Sequence, residues 1–399
     1  MFPSWLSFFI VLALILIFSK KELGIILTFA ALIFGFLTHV NVVLSLITVF
    51  INPSIIFLAI SVTLIPILGG IMEESGLILE LVEKLRISKK LALILSPALF
   101  GLLPVPGGAL MSAPIVDQID VSLKSERKVG INVWYRHSLL LIYPISSAIL
   151  VSSVLSGIPL YSIVLALVFP FILMNLIGYT FLLRSVEKGI KSTDRDIKRV
   201  LHNLLPIIVA PIIDFLGRTF FNFTVPEMFL LIGMCISIVI ALKFTKFSIY
   251  NIREISKKMK IWRFPLLIIA MFLFLEIFIQ SGVPEDIGSL KLPFYLFIFI
   301  SFFLGFATGR VQLPISILIP IYLFQNSIFI MPLLDFTFIY FAVYLGYLMT
   351  PLHPCLAYNI NYFKTNYKSS FKYLAIPTFT CLGLLYLIYL MLMLSKLIF

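Results

Sequence analysis

Arg310 closes the run Gly305-Phe306-Ala307-Thr308-Gly309-Arg310, in the middle of an apolar stretch from Leu292 to Tyr322. An ionised side chain at membrane depth costs at least about 2.5–3.5 kcal/mol unless it is paired or faces a polar cavity. Two readings are open. The guanidinium can hold an anionic group by fork-like hydrogen bonds, or it can pair structurally with Asp214 or Glu276. His353, in Thr350-Pro351-Leu352-His353-Pro354, can bind a solute, relay a proton or sit as a satisfied core histidine. A second apolar stretch, Leu91 to Val116, is broken by Pro104-Val105-Pro106-Gly107-Gly108. Glycines at 107, 108 and 309 let backbone approach a ligand closely. The hydroxyls of Ser112, Ser146, Ser147, Thr308, Ser316 and Thr350 suit a carboxylate or a sodium ion.

Irregular backbone within the bilayer leaves N–H and C=O groups without partners, and it survives only where protein or a wet cavity satisfies them. Half-helices created by such breaks expose N-terminal N–H groups and a partial positive charge that attract anions. The expected substrate-binding set is therefore Pro106, Gly107, Gly108, Ser112, Ser146, Ser147, Thr308, Gly309, Arg310, Ser316, Thr350 and His353. Asp214, Glu276 or His353 are the candidates for proton or ion coupling. No catalytic or metal site and no cofactor is expected, a sodium ion apart. Asp214 and Arg218, four apart on a helix, are expected to pair with each other. Glu276 reads as a lone carboxylate near the outer end of its span, and Glu73 and Glu74 as a solvated helix end. Arg136 and His137 read as the cytoplasmic edge of a span, reaching to headgroups.

The elements that must carry these groups follow from composition. Of 399 residues 61% are hydrophobic and 12% charged, which excludes an ordinary soluble domain. The segment from Met1 to Phe18 reads as a retained span, without the basic start and small-residue cleavage site of a signal peptide. Net charge is +12, but the basic residues sit in short loops, where the positive-inside bias explains them without nucleic acid. No nucleotide-phosphate loop, zinc-protease helix or nucleophile elbow is present. Cys235, Cys355 and Cys381 are scattered through apolar segments and read as small core residues.

Apolar windows predict ten spans: 4–18, 23–39, 54–72, 138–156, 160–183, 204–221, 226–242, 264–280, 336–358 and 373–396. The stretch 42–51 is too short to cross and is expected at the interface or as an extension of a neighbour. Basic loops around Lys84–Lys90, Lys124–Lys128 and Lys188–Arg199 share one side only if the first broken segment does not cross. The loops before span 264–280 and after span 336–358 give the same answer for the second broken segment. The predicted fold is an all-α membrane protein of about ten transmembrane helices plus two opposed re-entrant hairpins, with the N-terminus outside. A first repeat, 1–184, holds a cytoplasmic-side hairpin at about 91–116. A linker spans 185–203, and a second repeat, 204–399, holds an outer-side hairpin at about 292–322. Three short matches at offsets of about 204–207 support the repeat: Glu74-Ser75-Gly76 with Gln280-Ser281-Gly282, Phe100-Gly101 with Leu304-Gly305, and Leu141–Ser147 with Leu348–Pro354. Five spans per half make the repeat inverted. Pro144 and Pro351 are expected to unwind the spans that hold them.

The run Leu103-Pro104-Val105-Pro106-Gly107-Gly108-Ala109-Leu110-Met111-Ser112-Ala113-Pro114 resembles the membrane-protein family known as domain of unknown function 401. So do Trp134-Tyr135-Arg136-His137 and Pro351-Leu352-His353-Pro354-Cys355-Leu356. That layout is similar to the ion transporter superfamily of gluconate, citrate and divalent-anion carriers. The resemblance implies two opposed hairpins, a midplane site, sodium or proton coupling, and often a homodimer with elevator-type motion. The Ser-Asn-Thr tip of the divalent-anion symporters is absent, and the Pro-Gly-Gly tip suggests recognition through backbone N–H groups. The expected function is secondary active transport of a small organic anion across the cytoplasmic membrane, coupled to sodium or protons. A cation/proton antiporter using Asp214 or Glu276 is the alternative, and an intramembrane enzyme built on Ser146 or Ser147 with His353 is a remote one.

Overall fold

The computed structural model describes residues 3–18, 21–85, 87–102, 108–187, 196–245 and 247–398. The expected site residues Pro106 and Gly107 lie outside them, as does most of the linker centre. The described residues are helical, without strands.

The first half runs α1 (Ser4–Ile17), α2 (Leu23–Thr38), α3 (Val42–Ile51), α4 (Pro53–Glu74), α5 (Leu77–Leu85), α6 (Lys89–Gly101), α7 (Gly108–Ile119), α8 (Ser125–Ser138), α9 (Ser147–Ser156) and α10 (Leu160–Gly178). A π-turn, Tyr179–Leu183, extends α10. The second half runs α11 (Ile197–Phe220), α12 (Glu227–Thr245), α13 (Ile249–Lys258), α14 (Arg263–Gln280), α15 (Val283–Gly288), α16 (Phe294–Thr308), α17 (Gln312–Asn326), α18 (Leu333–Met349), α19 (Pro354–Tyr362) and α20 (Tyr367–Ile398). The two sets of ten follow the same order of long, short and broken helices.

Seven helices among the described residues are long and apolar enough to cross a membrane. Three expected spans differ. Segments 4–18 and 23–39 form helices of 14 and 16 residues, about 21–24 Å at the α-helical rise. Segment 138–156 is not one helix. The chain runs through α8, a 3-10 turn at Leu139–Leu141 and a tight turn closed by the Ser146 N–H on the Tyr143 carbonyl before α9 begins at Ser147. Pro144 sits in that tight turn, and Pro351 sits between α18 and α19, so both prolines fall where the helix is interrupted. Residues 42–51 form a separate helix because asparagines start both it and its successor. The Asn41 side chain accepts from the Leu44 N–H at 3.1 Å, and Asn52 from the Ser54 N–H at 3.0 Å, with Pro53 in the first turn. The helix α11 begins at Ile197, inside the stretch read from sequence as a connector.

The halves interlock by exchanged contacts. The helix α4 packs on α12 and α2 on α14; α7 on α19 and α9 on α17; α8 on α20 and α10 on α18. The arms α6 and α7 have 13 and 12 residues, and α16 and α17 have 15 each. At about 1.5 Å per residue none of them reaches the ~30 Å hydrocarbon thickness. Each first arm crosses a broken helix at a glycine: a Cβ on Gly101 would collide with the Arg136 carbonyl oxygen, and one on Gly305 with that of Val343. Such backbone-to-backbone approach is how small residues serve helix crossings in membranes.

Candidate functional site

The second break tightens into a short tip. Gly309 ends α16 in the left-handed region at φ 62°, and its N–H bonds the Gly305 carbonyl at 3.1 Å. The Thr308 hydroxyl donates to Leu304 O at 2.7 Å and accepts from the Arg310 N–H at 3.3 Å. These bonds fix where Arg310 leaves the chain, with α17 starting just beyond it. Across from it the first half contributes its own interruption. Ser146 caps α9, accepting the Ile149 N–H at 3.4 Å, while its own N–H bonds Tyr143 O at 2.9 Å. The Tyr143 hydroxyl anchors the link to Ile207 O at 3.0 Å. The amide of Gln312 donates to the Ser147 hydroxyl at 2.9 Å and joins the tip of one half to the crossover of the other.

These pieces enclose a cavity of about 270 Å³. Of the expected site residues, Ser146, Ser147, Gly309, Arg310 and His353 line it. The first turns of three helices open on it: Ser147 and Ala148 of α9, Gln312 of α17, and Pro354 and Cys355 of α19. No Asp or Glu is among the described lining residues, and no carboxylate among the described residues pairs with Arg310. The cavity is therefore positive from two sources, the guanidinium and the helix N-termini.

Other expected members lie elsewhere. The Ser316 hydroxyl is buried and bonds Leu313 O of its own helix at 2.8 Å. Thr308 and Thr350 are buried and bonded to local backbone, Thr350 accepting from the Leu352 N–H at 3.3 Å. Ser112 is buried on α7, and Gly108 begins that helix. Ser112, Ser316, Thr308 and Thr350 are not lining residues. Asp214 is fully buried and pairs with Arg218 at 2.9 Å, as its spacing predicts, and also accepts from the Tyr161 hydroxyl at 2.9 Å. Arg218, Tyr161 and Glu227 line a separate cavity of about 480 Å³, where the guanidinium is already committed to two acids. Glu276 accepts from the Gln280 amide at 2.7 Å and does not reach the first cavity. Glu74 is paired with Lys258 at 2.9 Å rather than merely solvated. Neither Ser146 nor Ser147 hydrogen-bonds His353, so no Ser–His dyad forms.

The headgroup role read for Arg136 and His137 is overturned. Both are buried, in the last turn of α8, because that helix starts at Ser125 rather than at the apolar window. Its early charges are satisfied inside the protein, Lys128 by Asp117 at 2.6 Å and Arg127 by the Leu182 carbonyl at 2.6 Å. His137 thereby meets His353, with ring centroids 4.5 Å apart. Cysteine placement also differs from a common core role. Only Cys381 is buried, Cys235 is exposed and Cys355 is half-buried on the cavity; all three are free thiols. Among the described residues, the ligand atoms of His137, His353 and Cys355 lie within 4.8 Å of one another and form the one cluster placed to hold a metal. Gln312, Tyr344 and Tyr347 are further lining residues that sequence reasoning missed. Gln312 carried a usable signal, standing two residues after Arg310 at the start of the second arm.

The fold is similar to the crystal structure of the YdaH transporter of Alcanivorax borkumensis, described as having an unusual topology. The TM-score is 0.57 and the identity 15%, over 83% of this chain and 84% of that one. No curated protein matches the chain. The family described as "Protein of unknown function (DUF401)" matches residues 2–392. With nearly its whole length matched, the chain belongs to the DUF401 family.

Proposed function

We propose that this protein is a secondary active transporter of a small organic anion, a carboxylate or sugar acid, coupled to sodium or protons. One observation carries the reading: the first turns of α9, α17 and α19 and the guanidinium of Arg310 converge on one cavity that has no acidic residue among its described lining. Helix N-termini and Arg recognise anions by the same means, N–H donors and positive charge. A volume of about 270 Å³ fits a small solute. Likeness to a transporter structure supports transport as the class of activity.

The matching order of helices, the exchanged contacts and the sub-membrane length of the four arms support two opposed re-entrant hairpins in an inverted five-plus-five repeat. In that arrangement α6–α7 enters from the cytoplasmic side, α16–α17 from outside, and the N-terminus is outside. Moving a monovalent anion against 100 mV needs about 2.3 kcal/mol, which one or two co-transported cations supply. Asp214 and Glu276 are already hydrogen-bonded by neighbours, which disfavours the antiporter alternative.

The test is a melting-temperature screen of the purified protein against carboxylates, sugar acids and oxyanions, with and without sodium. A ligand that binds only the folded state raises the melting temperature. A saturable rise with a carboxylate class, followed by uptake of that solute into proteoliposomes, is the expected outcome. A response to sodium and pH with none to any anion overturns the reading.

A further inference from the structure

We propose that His137, His353 and Cys355 form a binding site for a thiophilic divalent transition-metal ion of the zinc class, open on its fourth side to the cavity. The inference goes beyond anion transport and stands whether or not the cavity carries an anion.

The donors are prepared for it. The Nδ1 of His137 lies 2.7 Å from the Val133 carbonyl oxygen. That oxygen can only accept, so Nδ1 carries the proton and Nε2 presents its lone pair, which the Tyr347 hydroxyl approaches at 3.5 Å; a carbonyl on the other nitrogen is the arrangement that orients metal-bound histidines. His353 is fully buried; its ring nitrogens make no well-formed hydrogen bond, and the Leu348 backbone is the one hydrogen-bonding group that acts on the ring. A buried imidazole left this way is costly, and a metal ion would satisfy one nitrogen. Cys355 lies in the first turn of α19, and its sulfur is the soft kind of ligand that zinc-class ions take. It is half-buried and lines the cavity, which gives an ion a route in.

The scaffold holds the donors from both halves. The Asn132 amide of α8 donates to Asn359 Oδ1 of α19 at 2.6 Å, and the Asn359 amide donates to the Cys355 carbonyl at 2.7 Å. The Tyr344 hydroxyl donates to the His137 carbonyl at 2.7 Å. The ligand atoms all lie within 4.8 Å of one another. A tetrahedral zinc with bonds of about 2.0–2.3 Å needs donors about 3.3–3.7 Å apart, so a small inward rotation of the side chains closes the site. Two imidazoles and a thiolate select zinc-like ions over magnesium or calcium, which take oxygen ligands. Arg136 and Arg310 are within electrostatic reach of His353 and oppose a cation. The thiolate charge counters one of them.

The probe is cobalt(II) added to the purified full chain carrying Cys235→Ala, which removes the exposed thiol. One equivalent should give a thiolate-to-cobalt charge-transfer band, zinc should bleach it, and zinc should raise the melting temperature. Cys355→Ser, a near-isosteric change, should remove the band and weaken zinc binding about tenfold or more. His137→Gln should do the same. If His137→Gln fails to fold, Cys355→Ser alone decides. A cobalt spectrum without a thiolate band, or equal zinc affinity in the Cys355→Ser variant, overturns the proposal. Because the readout is spectral, its failure is separate from any failure of the anion reading.

Discussion

Replacing Arg310 by alanine tests the proposed anion site separately from the rest of the fold. Among the described residues the guanidinium pairs with no carboxylate, so its removal breaks no ion pair and takes an uncompensated charge out of the membrane region. Stability without solute should hold or rise. A charge-assisted hydrogen bond contributes about 1.5–3 kcal/mol, so the bound anion should dissociate about 10- to 150-fold more readily. Each helix N-terminus keeps about 0.3–1 kcal/mol of attraction, so binding should weaken rather than vanish. In the melting assay, solute at one hundred times the wild-type Kd stabilises by about 2.7 kcal/mol, and a variant weakened a hundredfold keeps about 0.4 kcal/mol. Arg310→Lys should fall between the two, retaining charge but losing the fork. An alanine variant whose solute-induced shift equals that of the wild type would refute the assignment. A variant that melts far lower without solute would show that Arg310 serves the fold instead.

Four further outcomes are expected. Gly305→Ala drives a Cβ into the Val343 carbonyl and should lower stability by about 1–3 kcal/mol, whereas Gly383→Ala, with nothing within 4 Å of the added carbon, should be neutral or mildly stabilising; paired thermal melts check this. Asp214→Ala leaves Arg218 and Tyr161 without their main partner and should destabilise by about 3–5 kcal/mol, yet the anion-induced shift should persist, and loss of that shift with intact folding would implicate Asp214 in coupling. Gln312→Ala removes the bond to Ser147 and should change solute affinity with little change in melting temperature, which titration calorimetry resolves. On the short helix α5, outside the candidate spans, the Arg199 and Asn203 hydrogen bonds hold the Glu80 carboxyl below the ordinary carboxylate range. A lowered folded pKa gives stability that is present above the unfolded value near 4.5 and is lost as pH falls through the folded one. Glu80→Gln should therefore flatten the acid limb of the stability profile, and an unchanged limb would assign it to other groups.

Much of this architecture was legible in the chain, and the physical reason is that breaks in apolar segments are conspicuous. Pro144 and Pro351 marked both interrupted helices because proline cannot continue the hydrogen-bond ladder. Arg310 drew attention because a charge in an apolar run has few explanations. The failures share a cause as well. Residues 125–137 looked like loop and span edge because they are polar, yet they form a buried helix whose charges find partners in Asp117 and the Leu182 carbonyl. Hydropathy measures what a residue would prefer in lipid and is blind to partners supplied by the protein. For the same reason His137 was unreadable as a neighbour of His353 and Cys355: its proximity depends on α8 packing against α19, a contact between halves that no local pattern encodes. Ser316 illustrates the converse, since a hydroxyl at the expected register turned back onto its own helix.

The bridge between Gln312 and Ser147 has a consequence for motion. A neutral amide–hydroxyl link is worth about 0.5–1.5 kcal/mol net, comparable with the thermal energy scale. The aperture between the tip and the opposite crossover can thus widen without tearing apart opposite charges, and a solute able to replace that link with its own oxygens would itself loosen the latch that confines it.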